Sequence, residues 1–245
     1  LISKVDVCVN LVGILYEKGN VNTFNNIHTI FPKKLAQICY SKKVKLVHIS
    51  ALGLDKVKDS KYASSKINGE KFVREILPST TIIKPSLVYS VDDNLTTKFM
   101  GLLSVLPFFP LYYGGKTKFT PIHVSELAEL IFYVISKELY SKTIEAIGPE
   151  VLTFKEILQT LMKCIKKNRI LFPMPLILAR LSAFFMQVMP QPLITQDQIN
   201  LLKYDNIKTK SGVTNFDIGC PSSLKFEDTV KDYAFNWTEG GQFSS

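Results

Sequence analysis

Residues 45–85 read KLVHISALGLDKVKDSKYASSKINGEKFVREILPSTTIIKP, and this stretch decides the fold. Lys45–Ser50 and Thr80–Pro85 are short runs rich in β-branched and apolar side chains, the pattern of strands buried on both faces. A polar loop through Lys61 separates the first run from a helical stretch over Tyr62–Leu77, which Pro78 follows. Strand, helix and strand in this rhythm form a right-handed crossover between parallel strands. Working towards the amino end, Phe24–Ser41 carries Ile27, Ile30, Phe31, Leu35 and Ile38 at helical spacing. Before it, Val5–Val12 is another apolar run, closed by Gly13. The alternation predicts an α/β fold built on a parallel sheet.

Towards the carboxyl end the spacing is less regular. A helix is predicted over 94–105, a Pro/Gly-punctuated loop over 107–115 and a short extended segment over 119–124. Ser125 is the expected N-cap of a helix over 126–137, and 143–147 is a further strand ended by Gly148-Pro149. Thr153 with Glu156 and Thr195 with Gln198 have capping-box spacing. The expected division is a sheet core over 1–90 and a mainly helical region over 91–245 that returns to the sheet at about 117–149.

The chain has 245 residues, 46% hydrophobic and 21% charged, so it can bury a real core and is not a disordered sequence. Its net charge of +9 is almost all scattered lysine, arginine occurring only at Arg74, Arg169 and Arg180. Neither a basic stripe nor a recognition motif accompanies that charge, which argues against nucleic-acid binding. Cys8, Cys39, Cys164 and Cys220 form no CxxC pair, and His28, His48 and His123 lie far apart. The sequence therefore predicts reduced thiols in a cytoplasmic protein, with no metal site. Residues 173–190 are apolar but too short, and too interrupted by Arg180, to span a bilayer. They read as a core helix, or as an interfacial one setting Phe184, Phe185 and Met186 against a membrane or partner. The chain starts at Leu1 and enters a strand almost at once, which reads as a piece of a longer protein.

Tyr62 and Lys66 have YxxxK spacing, which places phenol and ammonium on one face of a helix. A nearby cation is expected to lower the phenol's pKa and fit it for acid/base work at a carbonyl or alcohol. The spacing alone is weak, since Tyr112/Lys116, Tyr133/Lys137 and Tyr204/Lys208 share it. Only Tyr62/Lys66 opens a helix after a strand that ends in a serine, Ser50, whose hydroxyl could donate to a substrate carbonyl. Ligands of parallel α/β sheets bind outside the carboxyl ends of the strands. Two more strand ends belong to that crevice: Asn10-Leu11-Val12-Gly13, and Lys84-Pro85-Ser86. The bland readings stand beside these. Asp92-Asp93 caps a helix, Gly114-Gly115 makes a turn, and His48 is a hydrogen-bonded core residue.

A dinucleotide fold also needs a glycine-rich first turn, GxGxxG, and none is present. The visible strands then behave as the fourth to sixth of the order 3-2-1-4-5-6, leaving the first of them with a bare apolar edge. The ordered set Asn10–Gly13, His48-Ile-Ser-Ala-Leu-Gly53, Tyr62–Glu70, Ile83–Ser86, Lys118–Val124, Gly148-Pro149, Phe172–Pro175, Thr195–Gln198, Asp205-Asn206 and Gly240–Phe243 resembles extended or atypical short-chain dehydrogenase/reductases. Among them it is most similar to the NADPH-binding accessory subunit of respiratory complex I and its alphaproteobacterial relatives, of the NAD-dependent epimerase/dehydratase type.

That resemblance implies a Rossmann-like fold, with NADP or NAD held by Asn10, Leu11, Val12, Gly13, Ser50, Tyr62, Lys66, Lys84, Pro85 and Ser86. It implies respiratory-chain or quinone-pathway partners, and a location peripheral to the inner membrane. It also divides the function. The nucleotide is either structural, or turned over by Ser50, Tyr62 and Lys66 in an oxidoreductase or nucleotide-sugar epimerase/dehydratase.

Overall fold

A computed structural model of the chain describes residues 5–93, 95–175, 177–178 and 194–243. Its centre is a four-stranded parallel sheet of β1 (Val7–Asn10), β2 (Lys45–Ile49), β3 (Thr81–Pro85) and β8 (Thr143–Ala146), in the spatial order β1-β2-β3-β8. Alternation along each strand sorts its side chains into two layers. Val7 and Val9 of β1, Val47 of β2, Ile83 of β3 and Ile144 and Ala146 of β8 join a cluster with Leu127, Leu130 and Val134 of helix α4 (Val124–Ser136). Cys8 and Leu46 face the other way. They pack with Leu35, Ala36 and Cys39 of α1 (Phe31–Lys42) and with Val73 of α2 (Lys61–Ile76). Helices on both faces of a parallel sheet are the predicted fold.

A π-helical turn, Asn25–Ile30, precedes α1 and crosses α2 closely. A Cβ on Gly69 would stand 1.9 Å from the His28 carbonyl oxygen, so only glycine admits that crossing. This contact sets His28 over the first turns of α2. At the far edge of the sheet the 213–215 segment covers β8: the Glu145 amide donates to the Val213 carbonyl at 2.8 Å, and the Asn215 amide to the Glu145 carbonyl at 3.1 Å. The outer side of β1, at the other edge, has no strand partner among the described residues, and Leu11 and Val12 beyond it are exposed.

A second core gathers α3 (Thr96–Val105), α5 (Phe154–Cys164) and α7 (Phe226–Ala234) around Phe109, Phe154, Phe226 and Trp237. Both capping boxes form, at Thr153/Glu156 and at Thr195/Gln198, the latter opening α6 (Gln196–Leu201). Asp93 accepts the amides of Leu95, Thr96 and Thr97 and so caps α3 as expected. Gly114 and Gly115 turn at positive φ.

Two local expectations are corrected. The 107–115 stretch is not all loop: β5 (Phe108–Leu111) pairs in parallel with β10 (Ile170–Pro173), a partner too distant in sequence for local punctuation to reveal. The N-cap of α4 is His123, not Ser125. The His123 imidazole nitrogen accepts the Ser125 amide, so the helix starts two residues early. The short pairs β4 (Val88–Tyr89) with β7 (Ile122–His123), and β6 (Lys118–Phe119) with β9 (Leu152–Thr153), bind the two cores together. Most of 173–190, including Phe184, Phe185 and Met186, lies outside the described residues. Among the described ones no helix is long and apolar enough to cross a membrane.

Candidate functional site

The carboxyl ends of β1 and β2 meet the first two turns of α2 on one side of the sheet. Lys66 is 6% exposed, and its ammonium donates to the Ile49 carbonyl at 3.3 Å. A Cβ on Gly13 would lie 3.5 Å from Lys66 Nζ and 3.7 Å from His28 Nε2, so the end of β1 stands directly against both groups. Burial lowers the Lys66 pKa to about 8, the Glu70 charge opposing the shift.

Asn10 fixes the end of β1 to β2. Its Nδ2 donates to His48 Nδ1 at 3.0 Å, while its Oδ1 accepts the Val12 amide at 3.1 Å. His48 therefore carries its proton on Nε2, and that buried N–H has no hydrogen-bond partner in the structure. His28 is held from three sides. Nε2 accepts the Ile14 amide at 3.0 Å, Nδ1 faces Ser65 Oγ at 3.0 Å, and the ring meets Tyr62 edge-on at 5.2 Å. Burial first, and the Lys66 charge second, bring the pKa of His28 down to about 3. Burial acts likewise on His48, also to about 3, with Lys66 and then His28 adding to it.

Tyr62 sits between Phe24, at 5.8 Å between centroids, and His28. Its pKa is raised to about 12, by burial and then by the nearby Asp197 carboxylate. This overturns the expected tyrosinate. The cation one turn away is itself weakened by burial, and the charge facing Tyr62 is negative. Tyr62 is a neutral phenol.

Ser50 is 4% exposed at the end of β2, and its hydroxyl donates to Glu70 of α2. Glu70 Oε2 in turn pairs with Lys84 Nζ at 2.8 Å, and Lys84 lies 3.5 Å from Asp55. Although burial opposes the Lys84 charge, Glu70 and Asp55 outweigh it and raise its pKa. The single Ser50 proton is thus directed at a carboxylate rather than offered to a carbonyl.

The predicted residues therefore divide. Asn10, Gly13, Tyr62 and Lys66 converge around His28 and His48, and Tyr62 packs in a small cluster with Ala51, next to Ser50. Leu11 and Val12 are exposed beside them. Lys84 is engaged by Glu70, the Pro85 carbonyl accepts the Leu52 amide at 2.9 Å, and Ser86 Oγ lies 2.6 Å from Asn206 Oδ1. A cavity of about 420 Å³ opens next door between Phe24, Lys58, Lys61, Ser64 and Asn68. It lies on the outer side of α2, and none of Ser50, Tyr62 and Lys66 lines it.

Sequence reasoning missed Glu70, His28 and Asp197. Glu70 had a legible signal, standing one turn beyond Lys66 on the face that already carries Tyr62. His28 and Asp197 had none, because their neighbours at the site are distant in sequence.

No protein-family model matches the chain. It is 26% identical over 236 residues to the Arabidopsis thaliana mitochondrial protein "NADH dehydrogenase [ubiquinone] 1 alpha subcomplex subunit 9", covering 93% of this chain and 57% of that one. It is 31% identical over 163 residues to the Dictyostelium discoideum protein of the same name, covering 66% and 45%. The chain spans about half the length of these curated relatives. Among solved structures it is similar to the Bacillus cereus UDP-glucuronic acid 4-epimerase in complex with UDP-glucuronic acid and NAD. That match has a TM-score of 0.67 at 14% identity, covering 95% of this chain and 76% of that one. It is also similar to the Bacillus anthracis dTDP-4-dehydrorhamnose reductase in complex with NADP, with a TM-score of 0.63 at 15% identity, covering 93% and 79%. The fold is that of the Rossmann-type reductases and epimerases. In sequence the chain is similar to the complex I accessory subunits, as its motifs led one to expect.

Proposed function

We propose that the chain is part of a nicotinamide-dinucleotide-binding module of the short-chain dehydrogenase/reductase type, associated with respiratory complex I or quinone metabolism, in which NADP or NAD is held rather than turned over. The observation that carries this reading is the polarity of the crevice. Tyr62 is a neutral phenol, the Ser50 proton is taken by Glu70, and His28 and His48 are neutral and locked by hydrogen bonds. Tyr62, His28 and His48 have pKa values far from neutrality, so they bind and orient, and Lys66, at about 8, stays largely the ammonium at neutral pH. The residues fit a nucleotide: Gly13 leaves backbone room beside Lys66, and the His48 Nε2–H is a buried donor without a partner.

The YxxxK spacing itself supports a second reading, an active NAD(P)-dependent oxidoreductase or epimerase/dehydratase using Ser50, Tyr62 and Lys66. One experiment separates the two. In the full-length protein, Tyr62→Phe is expected to leave NADPH affinity within about threefold, and saturating NADPH to raise the melting temperature of both forms through linkage. A turnover of nucleotide in the wild type that Tyr62→Phe abolishes would replace the holding role with the enzymatic one.

The relatives' names place them in mitochondrial respiratory machinery, and a peripheral position against the inner membrane fits the surface of the β5–β10 pair. Val105, Leu106, Phe108, Ile170 and Phe172 are exposed there, with Phe108 directly opposite Ile170. Co-sedimentation with vesicles of the full-length protein is expected to fall severalfold in Phe108→Ser/Ile170→Ser. Equal sedimentation of the two would remove the membrane contact.

A further inference from the structure

Thr195 and Gln198 cap their own helix, and this leaves Asp197 free to reach across to α2. Asp197 Oδ2 accepts from Ser60 Oγ at 2.6 Å and from the Tyr62 amide at 3.2 Å, while Oδ1 accepts from the Lys61 amide at 2.7 Å. Ser60 is the N-cap of α2, its oxygen accepting the Ala63 amide at 3.0 Å, so Asp197 receives the one proton that cap can give. The first amides of a helix have no partner within it, and a carboxylate at that end also meets the positive pole of the helix dipole.

A second set of contacts seats the same segment. Asn200 Nδ2 donates to the Asp59 carbonyl at 2.6 Å, and the Tyr204 hydroxyl faces Asp59 Oδ1 at 3.3 Å. Leu201 and Tyr204 pack in the small cluster of Leu54, Val57 and Ala63 that also takes Tyr62. Residues 195–204 of the C-terminal region therefore grip the turn on which Tyr62 and, one turn later, Lys66 are carried.

We propose that Asp197 is a positioning residue for Tyr62, and that through it the seating of residues 195–206 and the occupancy of the crevice by nucleotide favour one another. The inference rests on the nucleotide reading above and adds to it a defined line of coupling. Holding the Tyr62 amide and its two preceding residues fixes where the aromatic ring stands against His28 and Phe24, and with it the turn that leads to Lys66. By linkage, a ligand that needs Tyr62 in this place must strengthen the hold on Asp197 by the same factor that Asp197 strengthens its binding. An ordinary helix cap would affect stability without responding to ligand.

The test uses the full-length protein, NADPH as the probe, fluorescence titration for affinity and amide hydrogen exchange for local opening. In the wild type NADPH is expected to slow exchange in 59–63 and in 195–206. Asp197→Asn keeps the shape but loses the charge and one acceptor. It is expected to weaken NADPH about five- to tenfold, at the low end of the coupling usual between two linked sites, and to abolish the NADPH-dependent slowing at 195–206. Exchange in Phe154–Cys164 should stay at the wild-type level, and Asp197→Glu should recover part of the affinity. Should Asp197→Asn fail to fold, Asn200→Ala with Tyr204→Phe loosens the same seat from its other side and is read in the same way. Unchanged NADPH affinity in these variants, or exchange at 195–206 indifferent to bound NADPH, overturns the coupling. A wild type that binds no NADPH overturns the nucleotide reading itself, and the coupling falls with it.

Discussion

Lys66→Met is expected to make the protein more stable and to weaken its hold on NADPH at least tenfold. Lys66 is 6% exposed, and burial lowers its pKa from 10.5 to about 8. Between those two values the unfolded chain binds more protons than the folded one, so stability rises with pH across that window. Below it the full cost of burying the ammonium is felt. At neutral pH that cost is on the order of 3 kcal/mol. Met keeps the length of the side chain without the charge, and the lost bond to the Ile49 carbonyl offsets part of the gain, leaving a net stabilisation of about 1–3 kcal/mol. Denaturant unfolding of both forms at pH 7, beside NADPH titration, measures the two effects. A less stable Met variant would show that Lys66 is held for structure rather than for a ligand. The expected combination, more stability with less binding, is the mark of a residue kept for function.

Acidification from pH 7 to pH 5 is expected to destabilise the protein by about 4 kcal/mol, with His28 and His48 contributing about 2 kcal/mol each. Both have folded pKa values near 3, against 6.5 when unfolded. Their contribution is therefore complete above pH 6.5 and is lost as pH falls towards 3, because the unfolded chain takes up protons that the folded one refuses. The geometry gives the reason. A proton on His28 Nε2 would displace the Ile14 amide, and one on His48 Nδ1 would displace Asn10 Nδ2. His28→Gln/His48→Gln is expected to begin less stable at pH 7 and to lose most of the slope. A wild-type stability that is flat between pH 7 and pH 5 would mean that these imidazoles are open to water. Since Asn10, His28 and Lys66 line the same crevice, NADPH affinity should fall over the same range.

The strands and helices of the sheet core were legible because each is written in a few consecutive residues. The apolar runs of β1 and β2, the helical spacing through Ile27, Phe31, Leu35 and Ile38, and the Pro78 that follows α2 are local signals. So is the pairing of Tyr62 with Lys66, one turn apart on α2. The β5–β10 pair and the covering of β8 by 213–215 were not legible, because each depends on a partner more than sixty residues away.

By itself, then, the sequence determined a parallel α/β sheet and set the ends of β1 and β2 and the start of α2 on one side of it. It could not determine the chemical state of the groups there. Composition and spacing placed a cation beside Tyr62, but burial weakened that cation, and folding brought Asp197 to the phenol from far along the chain. Likewise Ser50 was visible as a strand-ending hydroxyl, while the direction of its proton was set by Glu70 and Lys84. Periodicity is a property of neighbours along the chain. Protonation and hydrogen-bond direction depend on neighbours in space and on how much water they exclude, and only the folded chain supplies those.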